Sequence, residues 1–211
     1  METQKMKKRY IFFCLFHIIW LCGCAEIPLT HYYTFRPDFE RKAEMTSPKY
    51  PYIIAVDSFE TDVPYNQEKI VFRSSPYEVN FYNYRQWLRP LDEQVTERIL
   101  NVFASAGMFQ HVQFYAAELP SEYLLRGRIK MFDHWSIENQ STVQIVILYQ
   151  FSTSEGEHVI WKDMVETTAK IARANTADLQ VIEIVKGFEI ALQENILQAL
   201  AAIDGVLSQQ K

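Results

Sequence analysis

No cysteine follows residue 24. The three in the chain, Cys14, Cys22 and Cys24, all fall in its first 24 positions. The remainder therefore has no internal disulfide to lean on, even in a compartment that permits one. No GxxxxGK[ST] loop is present, so no ATP-cradling P-loop is expected. No GxSxG elbow is present either. The later histidines, His31, His111, His134 and His158, do not stand at metal-ligand spacing with a second His, Cys or carboxylate. Asp133 and His134 are adjacent on a predicted strand and point to opposite faces. These absences leave no catalytic, metal or cofactor site to nominate, and an enzyme is not expected. No uncharged apolar run reaches the roughly 20 residues that span a bilayer. There is no internal repeat and no low-complexity segment.

What is present starts at the N-terminus. Met1 to Arg9 carries Lys5, Lys7, Lys8 and Arg9 against one acid, Glu2. Tyr10 to Cys22 is uncharged and mostly apolar, which is the order of a secretory signal. It closes on Leu21-Cys22-Gly23-Cys24. This ending resembles a bacterial lipoprotein box, in which the Cys24 thiol takes a diacylglyceryl group and the chain is cut before it. Sulfur suits the task because a thiolate is a strong nucleophile. Gly23 lets a peptidase seat the backbone closely. Cys22 departs from the pattern, since Ala, Ser or Thr is commoner there. An ordinary cleaved signal and an uncleaved anchor are the alternative readings. The division expected is a signal peptide over 1–23, a lipid anchor and tether over 24–30, and one domain over 31–211. Ala25 follows the anchor where Asp favours inner-membrane retention in enterobacterial lipoproteins. By that analogy the anchor belongs in the outer membrane, on its periplasmic face.

Removing residues 1–23 takes away four basic and one acidic residue, leaving 17 against 25 and a net charge of −8 over 188 residues. That balance argues against nucleic acid as a partner and against adhesion to an anionic membrane surface by charge. Attachment falls to the lipid, at about 0.8 kcal/mol per buried methylene. Twelve Tyr, 14 Phe and 4 Trp favour a β-rich core or an interaction surface.

Strands are predicted at 31–36, 52–59, 70–73, 78–84, 111–115, 122–137, 142–152 and 158–171, with loops over 38–51 and 60–66 and a hairpin turn over 154–157. Tyr52 to Phe59 has a continuous apolar centre, as in a strand covered on both faces. Pro90 suits the first turn of a helix whose stripe is Leu91, Val95, Ile99, Val102, Phe103 and Ala106, stopped by Gly107. Val181, Val185, Phe188, Leu192, Ile196, Ala199 and Ile203 stripe a last helix over 178–207. Thr176 or Asp178 caps it, and Gly205 and the polar tail Ser208 to Lys211 end it. The fold class is α+β, an α/β sandwich. A mixed, largely antiparallel sheet of about seven strands carries two long amphipathic helices on one face.

The middle of the chain carries a resemblance. An apolar strand from Ile54 leads to Pro64-Tyr65, then Lys69-Ile70-Val71-Phe72-Arg73, then Tyr84-x-x-Trp87-x-x-Pro90-Leu91 entering a helix. With Tyr32-Tyr33 near the start, strand 124–132 and the terminal helix, this order resembles the ABC-type transport auxiliary lipoproteins, the PqiC-like family. The resemblance implies a periplasm-facing lipoprotein without its own ATPase. Its implied partners are an ABC permease and ATPase and a protein with mammalian-cell-entry domains that moves lipid between membranes. A structural envelope lipoprotein without a transport role is the alternative. A lipid carrier is a variant that requires an apolar cavity between sheet and helices. Self-association into a homo-oligomer is compatible with either.

Two sets of residues are candidates for partner binding. Tyr82, Tyr84, Arg85 and Trp87 are of the types enriched in binding hot spots, or else Trp87 fills the core under the helix. Arg126, Arg128 and Lys130 recur at two-residue spacing on one strand face. They read either as basic protection of a sheet edge or as a docking strip for an acidic partner or lipid phosphates. Arg73 reads as a solvated edge residue rather than the partner of a buried carboxylate such as Asp57.

Overall fold

The structure, a computed structural model, describes residues 28–36, 47–138, 140–154 and 158–209. The signal peptide, Cys24 and the tether to residue 27 lie outside the described residues. So do Pro37, residues 38–46 of the predicted loop and 155–157 of the predicted hairpin turn.

One strand organises the sheet. It is β7, Tyr123–Ile137, with 15 residues. Its far side is covered over its whole length by β8, Gln140–Thr153, in antiparallel register from Tyr123↔Thr153 to Ile137↔Gln140. The turn between them holds Glu138 at φ 52°, the left-handed region that tight hairpins need. β9, Val159–Lys170, then pairs antiparallel with β8 and ends the sheet there.

The near side of β7 is shared. β2 (Tyr50–Val56) lies parallel to its start, β3 (Glu60–Thr61) to its middle and β4 (Lys69–Ser75) to its end. β6 (Phe109–Phe114) lies parallel to β2. β5 (Glu78–Trp87) turns back antiparallel to β4, and β1 (His31–Tyr33) adds parallel to its last three residues. The sheet is mixed and has nine strands. Strand β3 escapes hydropathy reading because two residues, Glu60 and Thr61, carry no alternation.

Both helices lie on one face. Along β8, Val143, Ile145, Ile147, Tyr149 and Phe151 alternate inward and are fully buried, while Gln144, Val146, Leu148 and Gln150 remain half-buried on the open face. Helix α1 (Leu91–Ser105) packs over β6 and beside α2. Helix α2 (Ala177–Ser208) covers β8 and β9. Pro90 is the N-cap of α1 rather than part of its first turn, and Asp92 and Glu93 complement the positive helix end. Gly107, at φ 63°, follows the C-cap as a left-handed stop. Thr176 caps α2 by accepting from Leu179 N at 3.3 Å. Gly205 does not stop α2, which runs on to Ser208 at the start of the polar tail. Open space surrounds Gly205, so nothing demands its conformational freedom there.

The layer between sheet and helices is filled. The Phe132 and Phe188 rings stack at 4.5 Å, and Trp87 meets Phe188 edge-on at 5.7 Å. Gly127 is small for a reason: a Cβ there would fall 2.3 Å from the Phe59 ring. Phe59 thus lies against Gly127 of β7 and meets Tyr149 edge-on at 5.5 Å. A polar knot ties α2 down. Asn195 is fully buried, accepts from the Tyr149 hydroxyl at 2.9 Å, and donates to Val165 O at 2.8 Å and Thr167 Oγ1 at 3.2 Å. With aromatic rings in this layer, the space that a lipid carrier would use between sheet and helices is occupied by side chains.

Candidate functional site

The basic strip is not at a sheet edge. β7 is paired on both sides, which removes the edge-protection reading of Arg126, Arg128 and Lys130. Their side chains stay half-exposed on the open face and meet the chain's own acids. Arg126 lies 3.7 Å from Asp57. Arg128 pairs with Glu60 and, at 3.2 Å, with Asp62. Lys130 pairs with Asp62. The Lys130 ammonium, and then the Arg128 guanidinium, hold the Asp62 carboxyl below the usual carboxylate range. A strip so neutralised is a poor docking surface for an acidic partner or lipid phosphate. The missed signal was acids at 57, 60 and 62 set against bases at 126, 128 and 130.

Arg73 is not solvated. Its guanidinium pairs with Asp133, whose side chain is 0% exposed. The Tyr65 hydroxyl donates to the other Asp133 oxygen at 2.7 Å, and burial followed by the Asp133 charge pushes the Tyr65 pKa up. The Arg73 guanidinium lies 5.5 Å from the centre of the Trp135 ring. The carboxylate partner is thus Asp133 rather than Asp57, because β4 runs parallel to the end of β7 and brings Arg73 beside Trp135.

Of the aromatic set, Trp87 is withdrawn from the surface. It is 2% exposed and packs among Phe35, Phe132 and Phe188. Trp87 closes β5 rather than preceding the helix in a loop, which turns the ring under α2. Tyr82 is half-buried, and its hydroxyl shares a hydrogen bond with His134 Nδ1 at 3.0 Å. Burial raises the Tyr82 pKa to about 12. His134 Nε2 meets Ser141 Oγ at 2.9 Å, and burial lowers the His134 pKa to about 4. Arg85 reaches Asp178 at 3.0 Å. Tyr84 is 39% exposed.

The outer side of β5 near Tyr84 carries further exposed residues that were not among the sequence candidates for partner binding. β1 covers only residues 85–87 of β5, so among the described residues no strand flanks the outer side of 78–84. Tyr77, at 97% exposure, stands just before this segment, Val79 lies in it, and Tyr32 is exposed on β1 beyond it. Among the described residues no group of three or more His, Cys, Asp and Glu is arranged to hold a metal.

A family model described as the ABC-type transport auxiliary lipoprotein component matches residues 33–199. Among solved structures, a Xanthomonas campestris protein of the DUF330 family is 15% identical with a TM-score of 0.69, over 86% of this chain and all of its own. A hypothetical protein from Chlamydia trachomatis is 9% identical with a TM-score of 0.51, over 74% of this chain and 97% of its own. At such identities the likeness concerns the fold. None of the curated proteins matches the sequence.

Proposed function

Because the chain belongs to the ABC-type transport auxiliary lipoprotein family, we propose that it is a docking module of a lipid transporter, held to the outer membrane by lipid on Cys24 and facing the periplasm. It performs no catalysis. Its partners are a protein with mammalian-cell-entry domains and the ABC permease and ATPase of the same system. The observation that carries the docking role is the outer side of β5. Residues 78–84 offer unpaired strand edge, and Tyr77, Val79 and Tyr84 stand exposed along it. An open edge with aromatic anchors favours an added strand or loop of a partner protein.

A pull-down from detergent-solubilised envelope, with a tag after Lys211, tests this. The transporter proteins are expected to co-purify, and the N-terminal peptide is expected to begin at an acylated Cys24. Tyr84→Ala is expected to lower recovery about tenfold, in keeping with the loss of a hot-spot aromatic. Undiminished recovery with Tyr84→Ala places docking elsewhere. Recovery with unrelated envelope proteins only favours a structural lipoprotein instead.

A further inference from the structure

Among the described residues, the opposite end of the sheet is also open. β9 has 12 residues and no proline, and β8 covers only its inner side. Long free strands of this kind are templates for further pairing.

The backbone phase along this edge follows from one bond. Ile171 N donates to Ser141 O at 2.8 Å, so residues 141 and 171 form a hydrogen-bonded pair. In an antiparallel ladder that type alternates. The register from Thr142↔Lys170 to Phe151↔Trp161 is unbroken. Ala169, Thr167, Val165 and Asp163 therefore turn their N–H and C=O groups toward β8. Thr168, Glu166, Met164 and Lys162 turn theirs outward. Met164 agrees independently, since its N–H donates to the neighbouring Asp163 carboxylate at 2.8 Å. An inward-facing amide would be bonded to β8 instead, so this donation places the Met164 N–H on the outer side.

The side chains of the outward residues stand on the face away from the helices, opposite Gln144, Val146, Leu148 and Gln150. Met164 is 61% exposed. If this edge meets its own copy about a two-fold axis, outward residues must face outward residues. An axis through Lys162 sets lysine against lysine. An axis through Glu166 sets glutamate against glutamate and Lys162 against Lys170. An axis through Asp163 or Val165 leaves Lys162 facing methionine or threonine. An axis through Thr168 sets Glu166 against Lys170 but overlaps only residues 166–170 of the strand, whereas one through Met164 overlaps residues 159–169. An axis through Met164 sets Lys162 against Glu166 on both sides and brings the two methionines together. Opposite charges directly across a ladder stabilise it and like charges destabilise it.

We propose that β9 pairs antiparallel with β9 of a second copy of this chain, about a two-fold axis through Met164, joining the two sheets into one. Such an interface is isologous and closes on itself. Met164 exchanges both backbone bonds with its equivalent, and Lys162 exchanges both with Glu166, for about six bonds in the central stretch. The Met164 carbonyl of the second copy takes the N–H that Asp163 holds in the single chain.

The test uses the detergent-solubilised full-length chain carrying Met164→Cys and a short bis-maleimide crosslinker. The parent without that cysteine is the control. A crosslinked species of two chains is expected, because a hydrogen-bonded pair sets the two Cα atoms about 5.5 Å apart. Lys162→Glu, which sets four carboxylates around the axis, is expected to abolish it. Adding Glu166→Lys to Lys162→Glu is expected to restore it, a pattern that loss of folding does not produce. The proposal is overturned by a chain that stays monomeric at about 100 µM, by a crosslink that survives Lys162→Glu, or by a double variant that fails to regain it.

Discussion

His134 makes a measurable demand on the fold. Its ring is buried between the Tyr82 hydroxyl at 3.0 Å and Ser141 Oγ at 2.9 Å, and burial lowers its pKa from near 6.5 to about 4. The unfolded chain therefore binds a proton on this ring between those pH values while the folded chain does not. The contribution to stability is full above about pH 6.5, declines as the pH falls toward 4, and changes no further below that. A tenfold gap in proton affinity is about 1.4 kcal/mol, so the whole swing is about 3 kcal/mol, of which about 2 kcal/mol falls between pH 7 and 5. Urea unfolding of the detergent-solubilised chain and of His134→Gln, at pH 7 and pH 5, isolates it. Carboxylates such as Asp62, whose ion pairs also weaken in acid, are common to both proteins and cancel in the difference. The advantage of the parent over His134→Gln is expected to shrink by about 2 kcal/mol on going to pH 5. Parallel pH profiles for the two proteins would refute the reasoning, because they would mean that the ring takes up its proton equally well in the folded chain.

Arg73→Ala leaves the Asp133 carboxylate buried with the Tyr65 hydroxyl, and is expected to lower unfolding free energy by about 3–5 kcal/mol in chemical denaturation. Trp87→Ala empties the aromatic cluster under α2 and is expected to cost about 3–5 kcal/mol; a melting temperature unchanged by it would contradict the buried ring. Asn195→Ala strands the Tyr149 hydroxyl and is expected to cost about 1–3 kcal/mol, with faster amide exchange in β9. Cys24→Ser is expected to leave an uncleaved, unlipidated precursor in envelope fractions read by mass spectrometry, whereas normal maturation would remove the anchor assignment.

That a segment is a strand was legible in the sequence, and what lies beside the strand was not. The run from Val143 to Phe151 is apolar enough to mark β8 as a strand whatever its neighbours are, but Ile145 to Tyr149 is apolar without interruption, so which residues face inward does not follow from local pattern. The triplet Arg126, Arg128 and Lys130 has the same spacing on an edge as in the middle of a sheet. Its position was settled by β2, β3 and β4 lining up along one side of β7, a pairing between segments far apart in sequence. The same non-local step placed Arg73 by Asp133 and turned Trp87 into the core. It also changes which surface is left for a partner. Opening the basic strip to an acidic partner means breaking ion pairs with Glu60 and Asp62 and replacing each with one of similar worth, so the exchange gains little. The outer side of β5 carries no such internal complement among the described residues: its backbone groups face solvent beside exposed Tyr77 and Tyr84. A partner that pairs there would satisfy groups that the described residues leave open and would displace no ion pair, which is why we propose docking at that edge and not on the charged face.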